Sequence, residues 1–195
     1  MKMTRLQQSL FALALTCSAY SATADWSLNN AQSSLNFISI KKLSIGEVHS
    51  FKSLKGTLKE NGAVKVEVTL NSVETQIPKR DTRMKKVLFE TDQFPSATVS
   101  TQIDMKRINA LKTGESFSQP LELALSIHGL KQEVEAEMRI TALAGNKLLA
   151  STIKPIILKA SDFKLVKGIE LLRELAKLPS ISTAIPVTAS FIFEK

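Results

Sequence analysis

Apolar and polar residues alternate along much of this chain, most cleanly in Val64-Lys65-Val66-Glu67-Val68-Thr69-Leu70, where one parity is apolar and the other polar. A period of two predicts a β-strand with one buried and one wet face. Leu121-Glu122-Leu123-Ala124-Leu125-Ser126-Ile127 repeats the pattern, and His128-Gly129 supplies a two-residue turn into a strand carrying Val134, Ala136, Met138 and Ile140 on one side. The pair predicts a β-hairpin. Asn61-Gly62 marks a second turn, between residues 54–58 and the Val64 strand, and further strands are expected over 35–40, 97–103, 148–158 and 185–193. About eight strands close into a barrel or pack as a sandwich, because either arrangement deals with exposed edges. An eight-stranded barrel is just wide enough to fill with side chains or to hold one small ligand.

Two stretches break the period. Over residues 81–90, Asp81 is placed to cap a short helix on which Met84, Leu88 and Phe89 form an apolar stripe. Over 162–178, Val166, Ile169, Leu171, Leu172, Leu175 and Leu178 predict a second helix, stopped by Pro179.

The first residues follow a different logic. Lys2 and Arg5 precede an apolar run over residues 10–20, and Ala22-Thr23-Ala24 has the small-x-small pattern of a cleavage site. Residues 1–24 therefore read as a secretory signal peptide, leaving one domain over 25–195 that is expected in the periplasm. No apolar run reaches the roughly 20 residues that span a bilayer, so no integral membrane segment is expected in the mature chain. Cys17, the only cysteine, falls in the leader, which denies the mature domain a disulfide or a thiolate metal site. Thr16 and Ala14 fit poorly with a lipoprotein reading of Cys17. The formal charge of +8 becomes +6 once Lys2 and Arg5 are removed with no acid among residues 1–24.

Catalytic chemistry is thinly provided. His49 and His128 are the only histidines, read as isolated surface or turn residues outside any ligand-spaced cluster. No Gly-rich phosphate loop, HExxH or GxSxG occurs. Nucleic-acid binding is not expected either: Lys79, Arg80, Arg83, Lys85 and Lys86 cluster, but residues 25–195 hold one tryptophan and no tyrosine for base stacking. The basic cluster has two readings. It is a solvated helix face, or it is an electropositive rim, with Arg83, Lys85 and Lys86 drawing an anionic head group to an apolar cavity.

Ser72-Val73-Glu74-Thr75, then Arg80-Asp81, Phe89 and Phe94-Pro95, is similar in order and spacing to the central motif of the YceI-like, polyisoprenoid-binding family. Trp26-Ser27-Leu28 with Ser33 and Phe37, Leu54-Lys55-Gly56-Thr57-Leu58, Leu125-Ser126-Ile127-His128-Gly129-Leu130 and Ser161-Asp162-Phe163 resemble other segments of that family. The resemblance implies a mainly β fold: an antiparallel lipocalin-like β-barrel of about eight strands with one or two short helices. It also implies an apolar tunnel that holds an isoprenoid or quinone-like lipid, in a non-enzymatic protein with no other cofactor.

On that view the ligand-binding residues are Phe37, Lys42, Ile45, Phe51, Phe89, Phe94, Leu123, Leu125 and Phe163, with Val66 and Val68 as further wall positions. Ordinary core packing is the competing account of each apolar one. The chain departs from the family pattern at Asn29, Gln32, Lys42 and Lys164, where other members often carry Asp, His, His and Gly, and Lys42 would favour an anionic head. Arg80 and Asp81 also have a structural reading, Asp81 as helix cap and Arg80 as anchor of the loop to a neighbouring strand. The alternative function is an envelope interaction protein with a side-chain-filled barrel, and edge pairing into a homodimer is compatible with either.

Overall fold

The computed structural model describes residues 25–195, so the leader expected over residues 1–24 lies outside the described residues. Twelve strand segments form one continuous antiparallel sheet: β1 Trp26–Leu28, β2 Ser34–Lys41, β3 Ile45–Phe51, β4 Leu54–Leu58, β5 Ala63–Thr69, β6 Val73–Glu74, β7 Ser96–Gln102, β8 Ser116–Ile127, β9 Leu130–Leu143, β10 Lys147–Thr152, β11 Ile156–Lys159 and β12 Ala184–Glu194. The short β1 closes the ring, because Trp26 pairs with Leu58 of β4 while Ser27 and Leu28 pair with Glu194 and Phe193 of β12.

Four of the barrel strands are composite. β1 and β2 lie along one edge of β12, interrupted by the 3-10 turn Asn30–Gln32; β3 runs on into β4, β5 into β6, and β10 into β11. Twelve segments thus reduce to a closed eight-stranded antiparallel barrel in which each strand pairs with its neighbours in sequence. The expected hairpin is present, with Ile127 opposite Leu130 and with His128 (φ 53°) and Gly129 (φ 74°) both left-handed, as a type I′ turn requires.

The strand expected over 148–158 is two. Ile153-Lys154-Pro155 separates β10 from β11, and Pro155 has no N–H to continue the ladder.

Both expected helices start elsewhere than the sequence predicts. α1 spans Pro78–Arg83, with Ile77 at the cap position and Pro78 in the first turn, and it widens into a π turn over Met84–Leu88. Asp81 does not cap it. Its carboxylate instead accepts from the Thr75 backbone N–H at 2.9 Å and from the Thr75 hydroxyl, closing the preceding loop. α3 spans Val166–Leu175 and not 162–178, because a 3-10 turn over Ala160–Phe163 ends with Lys164 in the left-handed region at φ 56°. That is the position where glycine is expected from the family pattern, and the backbone conformation is the one glycine adopts most freely. A third helix, α2 over Met105–Asn109, was not expected. Asp104 caps it by accepting from the Lys106 N–H at 2.9 Å, and Ile108 is its buried residue.

No helix among the described residues is long and apolar enough to cross a membrane. α2 and Ile108 pack with Leu58, Val66, Ile140 and Phe193, while the π turn and α3 pack with Phe37, Phe51, Val68 and Phe163. The helices therefore sit at opposite ends of the apolar interior.

Candidate ligand-binding cavity

The inward parity of the strands is apolar but does not fill the barrel. A cavity of about 250 Å³ runs from Ile103 and Ile108 at the α2 end to Leu88, Phe89, Leu165 and Ile169 under the π turn and α3. Of all its lining residues only Thr101, Thr152 and Lys159 carry a polar side-chain atom. Alternation in sequence reveals which face is inside; the unfilled space depends on side-chain volumes from every strand at once.

Six of the expected ligand-binding residues meet in this wall: Phe37, Phe51, Phe89, Leu123, Leu125 and Phe163, together with Val66 and Val68. Phe37, Phe51 and Phe89 form an aromatic triangle with ring centroids 5.4, 5.7 and 6.4 Å apart. Three expected residues are elsewhere. Lys42 occupies the β2–β3 turn at φ 51°, exposed, with its backbone N–H donating to the Ser180 carbonyl. Ile45 begins β3 at the tip of the same hairpin and is 43% exposed. Phe94 packs at a tilt of 49° against the His128 ring, centroids 4.3 Å apart, and lies against Gly129 of the turn. Each has the parity or the size of a wall residue, but the turn that carries it ends short of the cavity.

The basic cluster also lies outside the lining. Arg83 and Lys85 are half-buried and Lys86 is exposed on the outer side of the helical cap, where the Arg83 guanidinium donates to the Leu175 carbonyl of α3 at 3.1 Å. This contact ties α1 to α3. Gly168 of α3 approaches the π turn so closely that a Cβ there would stand 2.6 Å from the Val87 carbonyl oxygen and 2.8 Å from the Leu88 Cα. Both are backbone atoms that cannot swing aside. Gly168→Val is expected to push the cap off the barrel and lower stability by roughly 1–3 kcal/mol, read as a lower urea midpoint at unchanged slope.

Behind the aromatic triangle lies a polar group that sequence reading missed. His49 is 2% exposed, not a surface residue; its Nε2 pairs with the Ser39 hydroxyl at 2.8 Å and Nδ1 has no protein partner. Its ring is 5.1 Å from that of Phe37. Burial, reinforced by the Arg80 charge, lowers its pKa from the ordinary 6.5 to about 4, so the imidazole is neutral near neutral pH. Arg80 donates to Glu47 of β3 at 2.8 Å and to the Thr75 carbonyl at 2.7 Å, anchoring the α1 loop to a strand. Burial acts to raise the Glu47 pKa, but hydrogen bonds from Lys41 and Arg80 more than offset it and hold the carboxyl below its ordinary range. The sequence signal was available in part: Glu47, His49 and Phe51 share one parity of β3.

His128 pairs with Glu90 at 2.7 Å beside Phe94, which ties the turn to the chain leaving the cap. Among the described residues, no group of three or more His, Cys, Asp or Glu side chains could hold a metal ion.

A YceI-like domain model matches residues 26–193, nearly the whole described chain. The chain belongs to the YceI-like family. A polyisoprenoid binding domain from Saccharophagus degradans, implicated in plant cell wall breakdown, is 34% identical over 87% of this chain and 97% of its own, with a TM-score of 0.85. BcnA of Burkholderia cenocepacia (14% identity, 85% of this chain and 98% of its own, TM-score 0.64) shares the YceI-like fold. So does a Campylobacter jejuni YCEI protein, at 20% identity over 80% of this chain and 90% of its own, with a TM-score of 0.57. A comparison with curated proteins returns no match.

Proposed function

We propose that this YceI-like protein is an exported, non-enzymatic binding protein that holds an isoprenoid or other apolar-chain lipid in the barrel cavity. The observation that carries the reading is the wall itself: an unfilled interior lined by aliphatic and aromatic side chains, to which even Thr101, Thr152 and Lys159 present only apolar atoms. Such a wall suits an apolar tail, whose burial is worth about 0.8 kcal/mol per CH₂. It offers no convergent acid, base and nucleophile for catalysis. The polyisoprenoid binding domain that shares 34% identity supports the same class of ligand. Export is supported by the leader pattern of residues 1–24. Arg83, Lys85 and Lys86 supply positive charge near the capped end for an anionic head or surface, since the cap carries them outside the apolar wall.

Native mass spectrometry of the mature protein purified from its own periplasm tests the reading. The expected result is a stoichiometric lipid adduct that extraction identifies as an isoprenoid or acyl chain. A protein that is empty and also takes up no added polyprenyl lipid would point to the filled-barrel interaction role.

A further inference from the structure

We infer that the lipid chain enters and leaves the cavity sideways, through a slot in the barrel wall between the first half of β9 and β11. The inference rests on the lipid-binding reading above and specifies its route.

β9 pairs with β8 from Leu130 to Thr141, but its other edge pairs with β10 only from Met138 to Leu143. The ladder stops where the Ile153 N–H donates to the Glu137 carbonyl at 2.9 Å. Beyond Pro155 the chain resumes as β11, which pairs with β12 alone. At the far end Gln132 Nε2 donates to the Asp162 carbonyl at 3.2 Å and rejoins the two sides. Between these two contacts, residues 133–136 of β9 face β11 without a backbone partner. At about 3.3 Å per residue the unpaired stretch is roughly 13 Å long.

The lips of this gap are apolar on both sides. Val134 on one strand and Ile156 and Leu158 on the other line the cavity directly. Outside, Ile153 and Ile157 are 40% and 56% exposed, large apolar side chains left in water along the same edge. The two ends of the barrel are shut by comparison. Ile108 is buried at one, and at the other Gly168 is seated against the Val87 and Leu88 backbone with no room for even a methyl group. Opening the cap would expose Phe163, Ile169 and Leu88 together, whereas passage through the slot disrupts no strand pairing.

Residues 25–195 contain no cysteine, so two introduced thiols are unique in the mature protein. β11 is offset by two residues from the β10 register on β12, so the β9–β10 register carried across this break places residue 135 opposite residue 157, and both side chains are exposed. Glu135→Cys with Ile157→Cys, bridged by a short bis-maleimide, would lock the slot.

The probe is geranylgeraniol offered on phosphatidylcholine vesicles, with uptake followed by native mass spectrometry. Bridging is expected to slow loading by about tenfold or more, and to slow release equally when the chain is loaded first. Each single-cysteine variant capped with a monofunctional maleimide, and the unbridged double variant, are expected to load at the unmodified rate. Equal rates with and without the bridge would overturn the slot as the route while leaving the binding protein intact. Failure of the unbridged protein to load at all would overturn the route together with the lipid-binding reading.

Discussion

Acidification from pH 6.5 to pH 4 is expected to remove about 3 kcal/mol of folding stability through His49 alone. The unfolded chain binds the imidazole proton near pH 6.5, whereas the folded one, where His49 is buried beside Phe37 and faces Arg80, binds it only near pH 4. Between those values the unfolded state carries more protons, so stability is complete above the upper pH and falls as pH drops through the window. Glu47 and Asp81 pull weakly the other way, and Lys41 reinforces Arg80.

Glu47 adds its own loss below its ordinary 4.5, where its ion pairs are broken by protonation, so the two effects are separated by substitution. His49→Gln keeps a hydrogen-bonding group near Ser39 and removes the titration. Urea denaturation at about pH 7 and about pH 4.5 should show a much steeper acid loss in the parent than in the variant. Parallel losses in the two proteins would mean that His49 is not held neutral by its surroundings.

The second large effect concerns the cavity. Leu125 lies on the wall and is nearly buried, opposite Val99 in the β7–β8 ladder. Leu125→Trp would project an indole into space that the ligand tail requires. If it displaces about four methylenes at about 0.8 kcal/mol each, affinity for a long prenyl alcohol falls on the order of a hundredfold. A prenyl alcohol short enough to fit the remaining space should lose far less. Because the indole fills a void, the urea midpoint should hold or rise slightly, which separates lost binding from lost folding. A titration across prenyl alcohols of increasing length checks this, and an unchanged affinity for the longest would place the tail outside the barrel.

How far such features can be read in a sequence depends on how local their cause is. The parity of Val64 to Leu70 and of Leu121 to Ile127 is a property of each strand alone, and those strands lie where the alternation predicts. The His128-Gly129 turn is equally local, since two left-handed residues leave few other conformations.

Asp81 shows where the reasoning fails: an acid at a helix start is an ordinary cap, but Thr75 competes for the same carboxylate from outside the helix. α2 is short enough that Asp104, Met105 and Ile108 make only one turn of signal. Phe94 is large and apolar like its neighbours, yet packs on a turn across the barrel wall, and only the tertiary path could reveal that. The break after Thr152 was legible in Pro155 but was outweighed by the apolar residues on both sides of it.

The closure by β1 bears on how the protein comes to be folded. Ser27 and Leu28 complete the ring against Glu194 and Phe193, partners separated by almost the entire chain. The middle strands, each hydrogen-bonded to its sequence neighbour, can form progressively through short-range hairpins. The seam cannot, because its loop-closure cost falls due only when both ends of the chain are present. A chain delivered N-terminus first therefore holds β1 without its β12 partner, and an open apolar sheet, until β12 arrives. That one strand decides between a sealed barrel and a sticky edge.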